Sequence, residues 1–482
     1  MKICGFLLLL SLLSLCLDAN PGIKVKITQK GLNFGMQLGT EFLKQRLKNT
    51  VFEDWHGLTW TYNYTVSNIR IQHVEFPRRS AFLIPGTGIH LQVNEASAIV
   101  TADWRFTSWV LRTSGKLIVY IRGIIISAIA TVSQDEAGRP TLFLKTCSGS
   151  VDSIDIQLDE SSRWLYRIFA NFMERPLRNS FNLNLCPSIN LEIQRFNAEL
   201  KQHQIQTQVN SFAVIDYSLV NLPSISHTSF DLDFKGAVYS IVNETEPSFE
   251  PDSFILPMGD SMLYIGVSEY FFHSASLAYY TSGAFEVSTE KELSAYFNFT
   301  TETFNSIIPM VAYLHIGLCP VIMNLTVTAA PVISLQNDRF LLQFVGSMEV
   351  LKIQPNFTTH SMFTLNVTAR THVSLTIFEK NLIPTLCLDS FDLSLAHSSV
   401  GLFKASLLKN FMSYILQKGV IPSINVNLKD GIPLPILDTT ILVNPVVTVH
   451  QGYLLISTDV RLKPAYIWEH NDLKGLEKMR TQ

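Results

Sequence analysis

The sequence predicts an α+β protein built twice on one plan: amphipathic helix, long antiparallel meander, second helix, closing strands. Three observations predict it. Helical apolar spacing near the start gives way, from about Trp60 to Ser150, to β-rich runs between turn residues, without alternating strand–helix–strand units. The same order returns after a proline-rich, acidic stretch near the middle. Charged residues are 16% of the 482 and mean hydropathy is +0.21, which calls for a large apolar interior.

The first residues read as a secretory signal. Lys2 precedes the apolar run "ICGFLLLLSLLSLCL" (Ile3 to Leu17), and polar residues follow from Asp18. The run is shorter than the roughly 20 residues a membrane span needs. Residues 1–19 are therefore expected to be removed and the mature chain to be extracellular.

Past the Pro21-Gly22 turn, Ile23, Val25 and Ile27 alternate with Lys24 and Lys26 as a short strand. Leu32, Met36, Leu43 and Leu47 then recur at helical spacing, with Gly35 and Gly39 notching the same side. After the meander, Trp164, Leu165, Ile168, Phe169, Phe172, Met173, Leu177 and Phe181 stripe a second helix. Pro176 is expected to kink it near Phe172, with helical character resuming from Ser188 to His203. Within the meander, "LIVYIRGIIISAIATV" (Leu117 to Val132) lacks the alternation of a one-sided sheet. Ile118, Tyr120, Ile124, Ile125, Ile126 and Ile129 predict either an exposed apolar strip or a bulge or covering helix.

"VNETEPSFEPDSFILPMGD" (Val242 to Asp260) holds three prolines and five acidic residues and reads as an extended linker. It divides an N-terminal unit, 20–242, from a C-terminal unit, 261–460, with 243–260 between them and a loose charged tail over 461–482. The second unit opens on "YIGVSEYFFHSASLAYYTSGAF" (Tyr264 to Phe285), with seven aromatic residues and one carboxylate. Ser268 can cap a helix with Glu269 in its first turn, placing Phe271, Phe272, Ala275, Ala278 and Tyr279 on one face. Such a face is buried core or the wall of an apolar ligand site. Strands follow from about Gly283 to Asp392. A last helix, Leu402 to Val420, stripes Leu408, Phe411, Met412 and Ile415 before the closing strands.

Charge excludes some functions. Residues 20–242 carry 22 basic and 18 acidic side chains, and residues 243–482 carry 14 and 21, so neither half is basic enough for nucleic acid. Lys24, Lys26, Lys30, Lys44, Arg46 and Lys48 cluster near the N-terminus, with Arg78 and Arg79 further on. No Walker, dinucleotide, zinc-protease or nucleophile-elbow pattern occurs, and the twelve histidines have no metal spacing. Neither an enzyme nor a cofactor is expected. Six Asn-x-Ser/Thr sequons, at Asn63, Asn243, Asn298, Asn324, Asn356 and Asn366, mark glycosylation sites and hence surface. Four cysteines follow the signal, and Cys319 and Cys387, both in strand-like runs, read as two buried free thiols in preference to a second bridge.

"NPGIKVKITQKGL", "PLRNSFNLNLC", "YIGVSEYFFHSASLAYY", "GIPLP" and the Cys147/Cys186 pair around the second helix, in that order, resemble the family of bactericidal/permeability-increasing protein, lipopolysaccharide-binding protein and the plasma lipid transfer proteins. The resemblance runs over residues 20–462 and is nearest the bactericidal branch. It implies a boomerang of two tubular barrels, each a highly twisted antiparallel sheet around long helices, joined by a central sheet. It implies a Cys147–Cys186 disulfide, and an apolar pocket in each barrel that holds a phospholipid-like molecule. The helix faces supply the candidate lipid contacts: Leu32, Met36, Leu43, Leu47, Ile168, Phe172, Phe271, Phe272, Leu408 and Met412. A chain of about 16 carbons gains roughly 0.8 kcal/mol per buried CH₂, enough for retention without a charged headgroup contact. The other reading is capture of lipopolysaccharide, or another anionic bacterial lipid, by the basic N-terminal residues. The modest charge of that half argues against it. The expected partner is an amphipathic lipid, and the expected state a monomer.

Overall fold

The computed structural model describes residues 19–463, apart from 59–61, 111, 159–165, 203, 244–245, 292, 294–296, 309, 312–317 and 437–439. All but Ala19 of the expected signal segment, 1–19, and residues 464–482 of the expected tail, 461–482, lie outside the described residues.

A six-stranded antiparallel sheet forms the centre. Its two middle strands, Ile23–Thr28 and Leu263–Ser268, pair antiparallel from Ile23↔Val267 to Ile27↔Leu263. Outward from them lie Ser229–Phe234 and Ser224–Ile225 on one side, Tyr453–Leu462 and Thr440–His450 on the other. Each middle strand runs straight into a helix through a hydroxyl cap. The Thr28 side chain accepts from the Gly31 amide and starts α1 (Gln29–Asn49), and Ser268 accepts from the Phe271 amide and starts α3 (Glu269–Thr281). The two halves thus repeat one strand–cap–helix unit about a local twofold in the middle of the sheet. Ile23, Val25, Ile265 and Val267 point to one face of the sheet and join a buried core with Phe271, Phe272 and Ile456.

The N-terminal meander is a six-stranded sheet of Trp55–Leu58, Tyr62–Glu75, Gly88–Ser108, Arg112–Gln134 and Pro140–Leu158, with Arg78–Ile84 pairing on Gly88–Ser108. Register shifts interrupt three of its ladders, the places where long strands bend and curl. One bulge explains the apolar run over 117–132. Leu117, Val119 and Ile121 are buried, and after Gly123, at φ +63°, the buried set resumes at Ile124, Ala128 and Ala130. Ile118, Tyr120, Ile126 and Ile129 are half-buried, and Ile125 is exposed. The broken alternation is thus a bulge that resets the phase, and the exposed part of the strip narrows to Ile125.

The second helix, α2 (Tyr166–Gln202), is one uninterrupted helix of 37 residues. This corrects the break expected before Ser188: neither Pro176 nor Pro187 ends the helix. Its ties to the sheet account for its length. Cys186 is disulfide-bonded to Cys147 on strand Pro140–Leu158. Asn182 accepts from the Val151 amide, and the Asn197 carboxamide both accepts from the Leu142 amide at 2.9 Å and donates to its carbonyl at 2.8 Å. That strand is the sheet's edge, so the helix satisfies backbone groups another strand would otherwise pair.

The C-terminal sheet follows the same plan through Glu286–Ser288, Pro320–Val327, Arg339–Ile353, Thr359–Phe378, Asn381–Ser398 and Ile432–Pro433, with Phe299–Thr300 and Val332–Gln336 pairing off this path. A short helix not expected from the sequence, α4 (Thr301–Asn305), lies within it. The final helical stretch begins with a 3₁₀ turn at Ala405–Leu408. It continues through α5 (Lys409–Ile415), a π-helical turn at Leu416–Val420, and α6 (Ile421–Leu428), so it extends past the expected end at Val420. Its Asn425 grips the Leu386 amide and carbonyl at 2.8 and 3.0 Å, the same clamp as Asn197 on Leu142. A fourth sheet of three short strands, Ala237–Ser240, Ala213–Asp216 and Gln206–Gln208, completes the fold.

The stretch read as a linker is a strap. Residues 246–260 have no regular structure, yet Phe254 and Leu256 are buried against Tyr264 and Leu455. Phe254 stacks on Tyr453 at 5.0 Å, and buried Lys26 donates to the Leu256 carbonyl at 2.9 Å. Residues 461 and 462, expected in the tail, close the last strand. No described helix is long and apolar enough to cross a membrane.

Candidate functional site

α3 leaves an apolar cavity between itself and the C-terminal sheet. Its volume is about 120 Å³. Phe271, Phe272, Ala275 and Tyr279 line it from the helix, Ile333, Phe340, Phe344 and Leu386 from the strands, and Ile424 and Leu428 from α6. The helix is fixed on both sides of this wall. The Glu269 carboxylate accepts from the Leu335 amide at 2.9 Å, His273 Nε2 lies 3.2 Å from the Ile333 carbonyl, and the Ser276 hydroxyl donates to the Pro331 carbonyl at 2.7 Å. His273 is therefore a satisfied, half-buried side chain, as a histidine on the outer flank of such a helix should be. A few polar groups border the cavity: Asn210 donates to the Tyr279 hydroxyl at 2.7 Å, and Asn427 and Asp430 are also in the lining. Burial raises the Tyr279 phenol above its ordinary range, so it stays a neutral hydrogen-bonding group.

The structure distributes the candidate lipid contacts over several environments. Phe271 and Phe272 are buried and line the cavity. Leu408 and Met412 are buried in the core of the C-terminal sheet and are not part of that lining. Met36, Leu43 and Leu47 are half-buried on the core of the N-terminal sheet, and Leu32 is half-buried further up α1. A Cβ at Gly35 or Gly39 would meet nothing within 4 Å, so the notches on α1 are not filled by neighbours. The side chains of Ile168 and Phe172 lie outside the described residues.

Sequence reasoning missed Ile424, Leu428 and the strand residues of the wall. The π-helical turn adds a residue to its turn and rotates the stripe that follows, so spacing extended from Leu408 and Met412 does not reach Ile424. The "GIPLP" run was the available signal: Gly431, at φ +69°, and Ile432 both border the cavity.

The basic N-terminal residues are largely engaged within the protein. Lys24 sits over the Phe254 ring and Lys26 is buried. Lys30 pairs with Asp459 at 2.8 Å, Lys44 with Glu41 at 2.8 Å, Arg46 with Glu192 at 3.1 Å, and Arg78 with Glu95 at 2.8 Å. Arg79 lies 4.0 Å from Glu41. Among the described residues, no group of His, Cys, Asp and Glu could hold a metal ion. Cys319 and Cys387 are free thiols, half-buried and not fully enclosed as expected. Five sequon asparagines, Asn63, Asn243, Asn298, Asn356 and Asn366, are exposed, whereas Asn324 is half-buried and accepts from the Ser288 hydroxyl at 2.7 Å.

Comparisons with known proteins fit this geometry. The model of the LBP / BPI / CETP family N-terminal domain matches residues 31–202, and that of its C-terminal domain matches residues 207–462. A BPI fold-containing family C protein of Homo sapiens is 33% identical, covering 93% of this chain and 92% of that protein. A bactericidal permeability-increasing protein of Sebastes schlegelii is 32% identical over 96% of this chain and 99% of its own. The crystal structure of lipopolysaccharide binding protein superposes with a TM-score of 0.61 at 23% identity, covering 92% of this chain and all of that one, and so shares its fold. With both domain models matched across nearly the whole described chain, this protein belongs to the LBP / BPI / CETP family.

Proposed function

We propose that the chain is a secreted, glycosylated lipid-binding protein that holds the hydrocarbon part of a phospholipid-like molecule by burial, without covalent chemistry. The cavity under α3 carries this reading. Its wall is mainly aromatic and aliphatic, with the polar side chains Asn210, Ser276, Asn427 and Asp430 among its lining. Transfer of apolar surface out of water is the driving force, at about 25 cal/mol per Å². In the N-terminal half, the half-buried face of α1, with Leu32, Met36, Leu43 and Leu47, is the corresponding surface, and Ile168 and Phe172 are its expected neighbours on α2. Leu408 and Met412 would then support the wall from behind. The units 20–242 and 261–460 each contribute one site, joined by the strap over 243–260, and the protein acts as a monomer.

Relatives named for bactericidal activity and for lipopolysaccharide binding support a lipid as the class of partner. Capture of an anionic lipid by the basic N-terminal residues is the weaker reading, because seven of the eight cations are paired, stacked or buried at home. Native mass spectrometry with lipid extraction, on protein secreted from animal cells, tests the proposal. Wild type should carry at least one lipid that survives high salt. Ala275→Phe, which fills the cavity, should lose one copy. Wild type with no lipid, or with lipid that salt strips off, would refute it.

A further inference from the structure

The cavity under α3 is small for an acyl chain. At about 120 Å³ it is close to the roughly 150 Å³ of an apolar cavity that takes one benzene. A second pocket of about 350 Å³ opens beside the C-terminal end of α3, lined by Tyr280, Thr281, Gly283, Glu286, Thr326 and Val327. Phe285 borders both. Joined, the two would offer about 470 Å³, within the roughly 300–1,000 Å³ of ligand pockets.

Phe285 is placed to join or part them. Its ring is half-buried and stands edge-on to Phe344 at 5.6 Å and tilted to Tyr279 at 6.4 Å. These are weak ring contacts, and a hydrocarbon tail can replace them with similar ones. The chain just before it has room. Gly283 ends the helix at φ +73°, and a Cβ there would meet nothing within 4 Å. The chain just after it is fixed, because Glu286 pairs with Thr326 in the sheet. A rotation of the Phe285 side chain therefore opens a path without unpicking a strand.

The charges are one-sided. Among the residues lining the two pockets, the ionisable acids Glu286 and Asp430 are present, with no Lys or Arg. A head that carries only negative charge would meet carboxylates without a compensating cation, whereas an ammonium group would be attracted.

We infer that Phe285 is a gate between an inner tail cavity and an outer head pocket, and that Glu286 makes the outer pocket prefer a lipid head bearing a cation. This rests on the lipid-binding reading above. The test uses two probes with one tail, palmitoyl lysophosphatidylcholine and palmitate, with binding and release followed by stopped flow on the full chain. Wild type should bind the choline lipid at least tenfold more tightly. Phe285→Ala should speed both binding and release about tenfold while moving the equilibrium constant less than threefold. Phe285→Leu gives a smaller change of the same kind and stands in if the alanine variant does not fold. Glu286→Gln should cut the preference between the probes at least threefold with rates for palmitate unchanged. Unaltered rates in both Phe285 variants overturn the gate, and equal affinity for the two probes overturns the head preference. Wild type that binds neither probe removes the lipid-binding reading and the gate with it.

Discussion

In the N-terminal half, α1 buries one side chain of its 21 residues, Thr40, and no residue of α2 whose exposure is described is buried. In the C-terminal half, the shorter α3 buries five, among them Phe271 and Phe272, and the final helical stretch buries Leu408, Met412, Ile415, Leu416 and Val420. The parts and their order are the same, but the helices stand in different relations to their sheets. N-terminal stability must come mainly from the sheet itself, where Trp104, Leu117 and Ile121 are nearly fully enclosed, and from the ties that hold α2 to its edge strand. C-terminal stability comes from helix-to-sheet packing. Phe304 contacts Phe363 and Phe411, and Phe363 in turn meets Phe403, at centroid distances of 5.2 to 5.8 Å. A helix that rests on half-buried side chains can shift to admit a ligand at little cost, while one anchored by interlocked rings is held in place.

Truncation should expose this difference most strongly. Phe304 is 1% exposed, and Phe304→Ala should cost about 3–5 kcal/mol. Met36→Ala, on the half-buried face of α1, should cost about 1 kcal/mol. Urea unfolding of each variant measures both. Equal losses would erase the proposed contrast between the halves.

The covalent tie should matter only to the N-terminal half. Cys147 and Cys186 are 39 residues apart, and the loop-entropy model assigns a bridge of that span about 4 kcal/mol. In the Cys147→Ser/Cys186→Ser variant, hydrogen exchange should rise sharply along 166–202 and stay unchanged along 405–428. Equal loss of protection in both segments would mean the halves do not draw stability from separate sources.

What could be read in the sequence follows the same division. The start of α3 was legible because Ser268 sits where a hydroxyl cap must, just before apolar residues at helical spacing, whereas α1 was legible from its apolar spacing alone and its Thr28 cap emerges only in the structure. The long meanders were legible from β-branched runs between turn residues. The bulge at Gly123 was visible only as a break in alternation, since its cause is the pairing of two other strands with that segment. The break expected in α2 before Ser188 is absent, because local propensity counts a proline's missing amide but not the asparagines and disulfide that hold the helix from outside. The cavity was half legible. Phe271 and Phe272 follow from helical phase, whereas Ile424 and Leu428 depend on a π-helical turn that no spacing rule anticipates.

One device should behave alike in both halves. Asn197 and Asn425 each bond the amide and the carbonyl of one strand residue on a side where no other strand pairs with it. Replacing either by alanine removes two hydrogen bonds and leaves strand groups unpaired, at about 1–3 kcal/mol. Matching losses in Asn197→Ala and Asn425→Ala would show that edge capture is the shared element and helix burial the variable one. A loss in only one would break the repeat at its most regular point.

The smallest effect concerns a contact that joins the halves. Lys30, in the first turn of α1, donates to the Asp459 carboxylate at 2.8 Å on the last strand, and Asp459 also accepts from the Met262 amide at 2.9 Å. The Lys30 bond, with the amide, holds the Asp459 carboxyl below its ordinary range although partial burial opposes this. A carboxyl depressed in the folded state adds stability above its unfolded value, near pH 4, and loses it as pH falls through the folded value. Both side chains are well exposed, so solvent screening limits the contribution to under about 1 kcal/mol. Asp459→Asn should therefore be slightly less stable than wild type at pH 7 and low salt, and indistinguishable from it below about pH 3. If the deficit persists in acid, hydrogen-bond geometry at Met262 outweighs charge, and the halves are joined there by backbone fit alone.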